Sequence, residues 1–241
     1  MAKKDNVISL PHMVSGLAMM NLSREVEELK TVNKDILEMS VRALLKALEC
    51  KDAYTFGHSM RVAFYSLQLG KEFGLSDKEL YDLELAALFH DIGKIGVPDS
   101  VLLKPARLDE EEFLKMKKHP ELSAEILSGF APFEEAAKFA KHHHERYDGR
   151  GYPDGMAGED IPLYSRIILI ADTFDAMTST RPYRKGLPYE VAFEELREFA
   201  GSQFDPNLVE FFIKAMERDQ AANQPTFALE IIEGEFKKDA A

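Results

Sequence analysis

Histidine and aspartate residues are concentrated in the middle of the chain, and their types and spacing are those of a metal site. Six of the seven histidines lie between residues 58 and 144, three of them in the run HHHE that begins at residue 142. The adjacent pair His90 and Asp91 offers a nitrogen and an oxygen ligand, and the carboxylate can bridge two metal ions. Taken alone, a His-Asp pair is weak support for metal binding, and a histidine run is also typical of a solvated helix end.

Two aspartates occupy positions that are unfavourable for a carboxylate without a cation. Asp91 follows a helical pattern that Gly93 stops, so it faces the negative end of the helix dipole, at a cost of about 0.3–1 kcal/mol. Asp172 interrupts the apolar run IILIADTFDAM, and a buried carboxylate without a partner is strongly destabilising. A bound cation would relieve both penalties. Asp175, three residues later, fits a supporting or structural acid better than a ligand.

Composition and charge restrict the class of protein. The 241 residues, 45% hydrophobic and 30% charged, suit one globular domain with an appended helical segment. The net charge of -12 argues against a nucleic acid polymer or an anionic membrane surface as partner. The single cysteine excludes an intrachain disulfide, the N-terminus reads poorly as a signal peptide, and no apolar run of about 18 residues predicts a membrane span. We expect a cytoplasmic protein.

Helical periodicity accounts for most of the chain. Apolar residues from Asn21 to about Leu48 recur at spacings of three and four, which predicts a long amphipathic helix. This helix either pairs with a second copy of itself or packs on its own domain. Ser76 and Glu79 have the spacing of a capping box. The run RIILIA is interpreted as helical because no second apolar strand partners it. We therefore predict an all-α fold.

Five separated motifs resemble the HD phosphohydrolase superfamily, and in particular its HD-GYP subfamily of cyclic dinucleotide phosphodiesterases. In chain order they are GHSMRV, HDIGK, KHPELS, HHERYDGRGYP and ADTFDAMTSTRPYRKG. The resemblance covers residues 40 to about 218. It implies an HD-domain helical bundle that hydrolyses cyclic di-GMP to linear pGpG, and to GMP where a second step follows. The expected organisation is an N-terminal segment and helix at 1–48, a catalytic domain at 49–220 and a C-terminal tail at 221–241.

The resemblance also assigns roles to individual residues. It implies two divalent metal ions, iron or manganese, although imidazole and carboxylate ligands also accept zinc or nickel. One ion is expected at His58, His90, Asp91 and Asp172, and the other at His119, His143 and His144, with Asp91 bridging. Lys94 matches a lysine beside the scissile phosphate, so Lys94 and Asp91 are the catalytic candidates. The substrate-binding candidates are Tyr152 of the signature loop Gly151-Tyr152-Pro153, Arg181, Arg184 and Lys185.

One position departs from the family pattern. Some members have a glutamate four residues before the first histidine that helps to hold a third metal, and this chain has Tyr54 there. Tyrosine is a poor ligand for divalent metals, so a two-metal centre is predicted.

Alternatives remain open at this stage. The substrate is either cyclic di-GMP or another cyclic dinucleotide, such as a mixed GMP-AMP ring. A second class of function is a weakly catalytic or non-catalytic nucleotide-binding adaptor that docks a diguanylate cyclase (GGDEF) domain through the GYP loop. The segment 1–48 is a candidate for regulation or for homodimer formation.

Overall fold

The computed structural model describes residues 10–51, 53–180 and 185–219, which form α-helices and short 3-10 helices and contain no strand. The prediction of an all-α fold is confirmed. The α-helices of the described residues are α1 (Leu10–Lys51), α2 (Ala53–Phe73), α3 (Asp77–Phe89), α4 (Asp99–Leu102), α5 (Glu110–Met116), α6 (His119–Ser128), α7 (Glu134–Lys141), α8 (Leu163–Thr178), α9 (Tyr189–Glu198) and α10 (Pro206–Asp219). Short 3-10 helices lie at Ile92–Gly96, Ala131–Phe133 and Gly158–Asp160.

The chain divides between Ala43 and Leu44 into two compact units. The predicted N-terminal amphipathic segment is part of a longer helix, α1, most of which belongs to the first unit. In that unit α1 carries a stripe of exposed apolar side chains at Leu22, Val26, Leu29, Val32, Ile36 and Met39. None of the helices in the described ranges is long and apolar enough to cross a membrane.

The core of the second unit is built around α8. This helix is buried on several sides, at Ile167, Ile168 and Ile170 among others, as expected for a helix that is apolar all round. The buried ring of Phe174 on this helix packs against two neighbouring helices. Its centroid lies 5.1 Å from that of the Tyr65 ring of α2 and 5.0 Å from that of the Phe212 ring of α10. The RIILIA run is therefore helical, as predicted, and Asp172 follows it directly on the same helix.

Five of the candidate metal ligands lie at or beside helix ends, whereas His58 and Asp172 lie within α2 and α8. The α3 helix begins where the Glu79 carboxylate accepts a hydrogen bond of 2.8 Å from the Ser76 N–H, as the capping-box spacing predicted. It ends at His90, which is its C-cap residue. The buried Ser123 of α6 donates to the carbonyl oxygen of His90 at 2.7 Å and accepts from the Gly93 N–H at 2.9 Å. This serine fixes the turn that carries Asp91 against α6.

Candidate metal centre

Three buried histidines share the same backbone support. In His90, His119 and His143, Nδ1 lies 2.7, 2.8 and 2.6 Å from the carbonyl oxygen of the residue three positions earlier. A carbonyl oxygen can only accept, so Nδ1 must carry the proton, and Nε2 keeps its lone pair. The local backbone thus gives all three residues the tautomer that a metal ligand needs.

His58 is oriented by a side chain instead. Its Nδ1 lies 2.7 Å from a carboxylate oxygen of Asp175, a residue with 0% exposed side chain. Arg61 donates to the same carboxylate at 2.5 and 3.1 Å, and the Ser179 hydroxyl donates to it at 2.9 Å. Carboxylates in this position hold a ligating histidine in orientation and increase its basicity. The geometry gives Asp175 the supporting role considered from the sequence.

Asp91 lies between two groups of candidate ligands. One carboxylate oxygen, Oδ1, is 3.1 Å from His119 Nε2 and 3.9 Å from His143 Nε2. The other, Oδ2, is 3.4 Å from His90 Nε2 and 3.8 Å from His58 Nε2. The Asp91 side chain is only 3% exposed. A carboxylate that presents one oxygen to each group is placed to bridge two cations.

The two groups are compact. We call His58, His90 and Asp172 the first trio, and His119, His143 and His144 the second trio. Within each trio the candidate ligand atoms all lie within 4.8 Å of one another, and the same holds for His90, Asp91 and His143, which connect the two. The structure therefore brings together all seven residues predicted to hold metal, from positions far apart in the sequence.

The charges of the site suit cations. Burial would raise the pKa of Asp91, but the Lys94 ammonium, 2.5 Å away, and the neighbouring histidines hold it well below its usual range. Burial is likewise outweighed at Asp172, where contact with His58 lowers the pKa. Both carboxylates are therefore ionised at neutral pH.

His58 differs in its electrostatic environment from the pair His143 and His144. Burial would lower the pKa of His58, but the carboxylates of Asp172 and Asp175 raise it to about 9. Burial and the neighbouring His119 lower the pKa of His144 to about 3, and burial with the adjacent His144 lowers that of His143. Without metal, the first trio therefore holds a proton at neutral pH, whereas His143 and His144 are neutral.

Among the histidine side chains that the structure describes, one buried nitrogen has no hydrogen-bond partner. His90 Nε2 is fully buried, and its Nδ1 is already committed to a backbone carbonyl. A buried polar atom without a partner is destabilising, and a metal ion would satisfy it. The donor set of imidazole nitrogens and carboxylate oxygens fits iron, manganese or zinc.

The signature loop is fastened directly to the ligand segment. The Glu145 carboxylate is buried and accepts hydrogen bonds from the backbone N–H groups of Asp154, Gly155 and Met156 at 2.7, 3.0 and 3.1 Å. A Cβ atom at Gly151 would lie 2.6 Å from the His144 carbonyl oxygen, which explains why glycine is needed there. The Tyr152 ring stacks on His144 with centroids 4.8 Å apart.

Some predicted residues lie away from the cluster or outside the described structure. His142, which the resemblance leaves out of the ligand set, turns its Nε2 to Asp154 at 3.0 Å. Lys185 is exposed. Arg181 and Arg184 lie outside the described residues, and so do the side chain of Tyr54 and the tail 221–241.

The described helices bring together two connected groups of histidine and aspartate side chains that could hold metal ions. Comparison with known proteins agrees: the family model for the HD domain matches residues 31–208. The chain belongs to the HD domain family, and its resemblance to HD-GYP phosphodiesterases is confirmed.

Curated relatives are similar over most of this chain. The cyclic di-GMP phosphodiesterase response regulator RpfG of Xanthomonas campestris is 38% identical over 88% of this chain and 57% of its own length. A cyclic di-GMP phosphodiesterase of Thermotoga maritima is 40% identical over 80% of this chain and 53% of its own length. A 3'3'-cGAMP-specific phosphodiesterase of Vibrio cholerae is 37% identical over 88% of this chain and 47% of its own length. The chain thus spans about half the length of these relatives.

A solved structure supports the fold. The crystal structure of a cyclic GMP-AMP specific phosphodiesterase from V. cholerae superposes with a TM-score of 0.58 at 23% identity, and the match covers 81% of this chain and 53% of that one. At this level of identity the similarity establishes the helical architecture.

The sequence did not reveal the residues that support the ligands. Glu145 stands next to the histidine run, and its only sequence signal is an acid immediately before a glycine-rich loop. Arg61 and Ser123 carry no such signal, because their partners, Asp175 and the His90 turn, are distant in the sequence.

Proposed function

We propose that this protein is a metal-dependent phosphodiesterase that hydrolyses cyclic di-GMP to linear pGpG. The observation that carries the proposal is the Asp91 carboxylate, with one oxygen at each trio. Relatives named as cyclic di-GMP phosphodiesterases support the choice of substrate. Further cleavage of pGpG to GMP belongs to the proposal as a second step at the same site.

Two metal ions, iron or manganese, would be held by the two trios with Asp91 between them. Bound there, such ions lower the pKa of water and neutralise negative charge on a phosphodiester. The chain itself orients four of the ligating histidines, because the Nδ1 atoms of His58, His90, His119 and His143 are held by hydrogen bonds. It also adds a shield from solvent, since His90 and His143 are 0% exposed.

Lys94 and the signature loop are the chain's contributions to the substrate. Lys94 Nζ lies 2.5 Å from Asp91 Oδ2, so its charge is at the edge of the candidate metal site, where it can stabilise negative charge that develops on a phosphoryl group. Tyr152, whose ring stacks on His144, is proposed as the residue of the signature loop that contacts the substrate. Arg181, Arg184 and Lys185 are proposed as further basic groups for the phosphates.

Two alternatives follow from specific observations. The similarity to 3'3'-cGAMP-specific relatives favours a mixed GMP-AMP ring as the second candidate substrate. The exposed residues Asp154, Gly155 and Ala157 in the loop after Tyr152 favour a docking role, in which a GGDEF domain binds the loop and turnover is weak.

The test is to purify the protein without oxygen, measure bound metal, and follow hydrolysis of cyclic di-GMP beside the variant Asp91→Ala. We expect about two metal ions per chain, as a binuclear centre requires, and loss of both metal and turnover in the variant. Asp160→Ala, which changes an exposed aspartate, is the matched control and should behave as the wild type. Metal-loaded protein that binds cyclic di-GMP without cleaving it would refute the enzyme in favour of the adaptor.

We also propose that the exposed stripe of α1 is covered by a second copy of the chain. The stripe residues recur at spacings of three and four, as in a coiled-coil seam. In a parallel pair, Glu25 of one helix and Lys30 of the other stand five positions apart, the spacing of interhelical ion pairs. Sedimentation equilibrium should show a dimer for the wild type and for Thr31→Glu, on the opposite face, and a monomer for Leu29→Glu. A monomeric wild type would refute the pairing.

A further inference from the structure

Lys117 lies between two aromatic rings beside the candidate metal centre. Its Nζ is 4.9 Å from the ring centroid of Phe113 on α5 and 5.0 Å from that of Tyr152 in the signature loop. Both distances are within the range of about 6 Å over which an ammonium group is attracted by an aromatic face. Lys117 therefore connects α5 to the loop.

These three residues lead outward from the metal ligands. Tyr152 stacks on His144, Lys117 stands over Tyr152, and Phe113 follows at the surface. The Phe113 side chain is 45% exposed, and Leu114 beside it is 57% exposed. An exposed ring next to a basic group is a stacking surface for a nucleobase. A nucleotide with its phosphate at the metal centre would extend along this line.

The ammonium of Lys117 has donors to offer. Within the described ranges, no carboxylate pairs with it, and the nearby acid of α5, Glu112, is bound to Lys104 at 2.5 Å. Lysine carries three N–H donors and no acceptor. The groups it can recognise on a base are therefore acceptors alone.

Guanine and adenine differ at the edge that such a donor reads. Guanine presents two acceptors, O6 and N7, whereas adenine presents N7 beside an amino group that is itself a donor. A lysine at this edge binds guanine and opposes the amino group of adenine.

We propose that Phe113, Lys117 and Tyr152 form a seat for one guanine base of the substrate. The base stacks on Phe113, and Lys117 donates to O6 and N7. The seat rests on the proposed phosphodiesterase function and specifies its substrate class: a cyclic dinucleotide with at least one guanine. Cyclic di-GMP and the mixed GMP-AMP ring fit, and cyclic di-AMP does not.

The test is equilibrium binding, measured by calorimetry on the metal-loaded protein with non-hydrolysable phosphorothioate analogues of cyclic di-GMP and cyclic di-AMP. Lys117→Met keeps the apolar stem and removes the donors. We expect the ratio of guanine to adenine affinity to fall about tenfold, as for one base contact. Lys115→Met, on the same helix with an exposed side chain, should leave the ratio unchanged. An equal loss of affinity for both analogues would mean that Lys117 contributes only its charge, and would overturn the seat.

A second variant tests the stacking surface. Phe113→Leu should weaken binding of the guanine analogue about fivefold or more, and Phe113→Tyr should restore it, because stacking on an aromatic ring is lost and regained. If the wild type binds cyclic di-GMP and neither Lys117→Met nor Phe113→Leu changes that binding, the seat is wrong and the phosphodiesterase proposal stands. If the wild type binds neither analogue, both proposals fall. Thermal unfolding of each variant checks that it is folded.

Discussion

The buried carboxylate of Glu145 is predicted to hold the signature loop in place, and Glu145→Gln tests this with almost no change of shape. The side chain accepts hydrogen bonds from three backbone N–H groups: those of Asp154 and Gly155 at Oε1, and that of Met156 at Oε2. Glutamine has one oxygen and one NH2 group. Its best orientation keeps the two bonds at the oxygen and turns the NH2 group toward the Met156 N–H.

The cost follows from that geometry. One charge-assisted hydrogen bond is lost, and two donors face each other in a buried position, since Glu145 is only 1% exposed. A lost bond of this kind with an unsatisfied donor costs about 2–4 kcal/mol. Because 1.4 kcal/mol is a factor of ten, local opening of the loop should become about 30- to 700-fold more frequent.

Hydrogen exchange measured by NMR on the amides of Asp154, Gly155 and Met156 reports this opening directly. We expect faster exchange at these three amides and unchanged exchange at the core of α8. Glu159→Gln, an exposed change in the same loop region, is the control and should exchange as the wild type does. Unchanged exchange at residues 154–156 in Glu145→Gln would refute the role of the carboxylate, whatever the protein's activity.

Three further outcomes are expected. The carboxylate contacts of His58 outweigh its burial and raise its pKa to about 9, so its protonated form stabilises the fold below pH 6.5, and this stabilisation is lost as the pH rises through 9. Burial lowers the pKa of His144 to about 3, so its neutral form favours the folded state above pH 6.5, and this stabilisation is lost as the pH falls toward 3. Urea unfolding of the metal-free protein should therefore show greatest stability near pH 6.5, and a continuous rise to pH 9 would contradict this. Asp175→Asn should weaken metal binding by about 10- to 100-fold in a competition titration with a chelating dye, because the carboxylate that orients His58 is lost. Unchanged metal affinity would contradict the supporting role of Asp175. Gly93→Ala should lower the melting temperature or prevent folding, because its Cβ would lie 2.0 Å from a backbone oxygen of α6, whereas Gly129→Ala meets nothing closer than 3.6 Å and should melt as the wild type.

Helical periodicity was sufficient to predict the fold class and most helices, but it could not locate the junction between the two units. The RIILIA run was assigned as helical because it lacked a partner strand, and α8 confirms it. The division between Ala43 and Leu44 lies inside one continuous helix. No glycine, proline or change of pattern marks it, because the backbone there is regular.

The candidate ligands could be named from the sequence because five motifs occur in the order that carries the family resemblance, although each motif alone is weak support. Their arrangement could not, because the two oxygens of Asp91 face different groups only once α3, α6 and α7 have packed. The same is true of Lys117, whose surroundings depend on a loop more than thirty positions later in the chain, at Tyr152. Interactions between distant segments are determined by packing, and a single sequence does not display them.

The order of the two trios along the chain has a consequence for biosynthesis. The second trio is complete once His144 has been made, and it comes from α6 and the end of α7, which are close neighbours in the sequence. The first trio joins His58 to Asp172 and must wait until α8 has left the ribosome. Under the proposed metal assignment, the emerging polypeptide acquires its two metal-binding pockets one after the other. The first trio contains the histidines that are synthesised earlier, His58 and His90, but it is completed after the second trio.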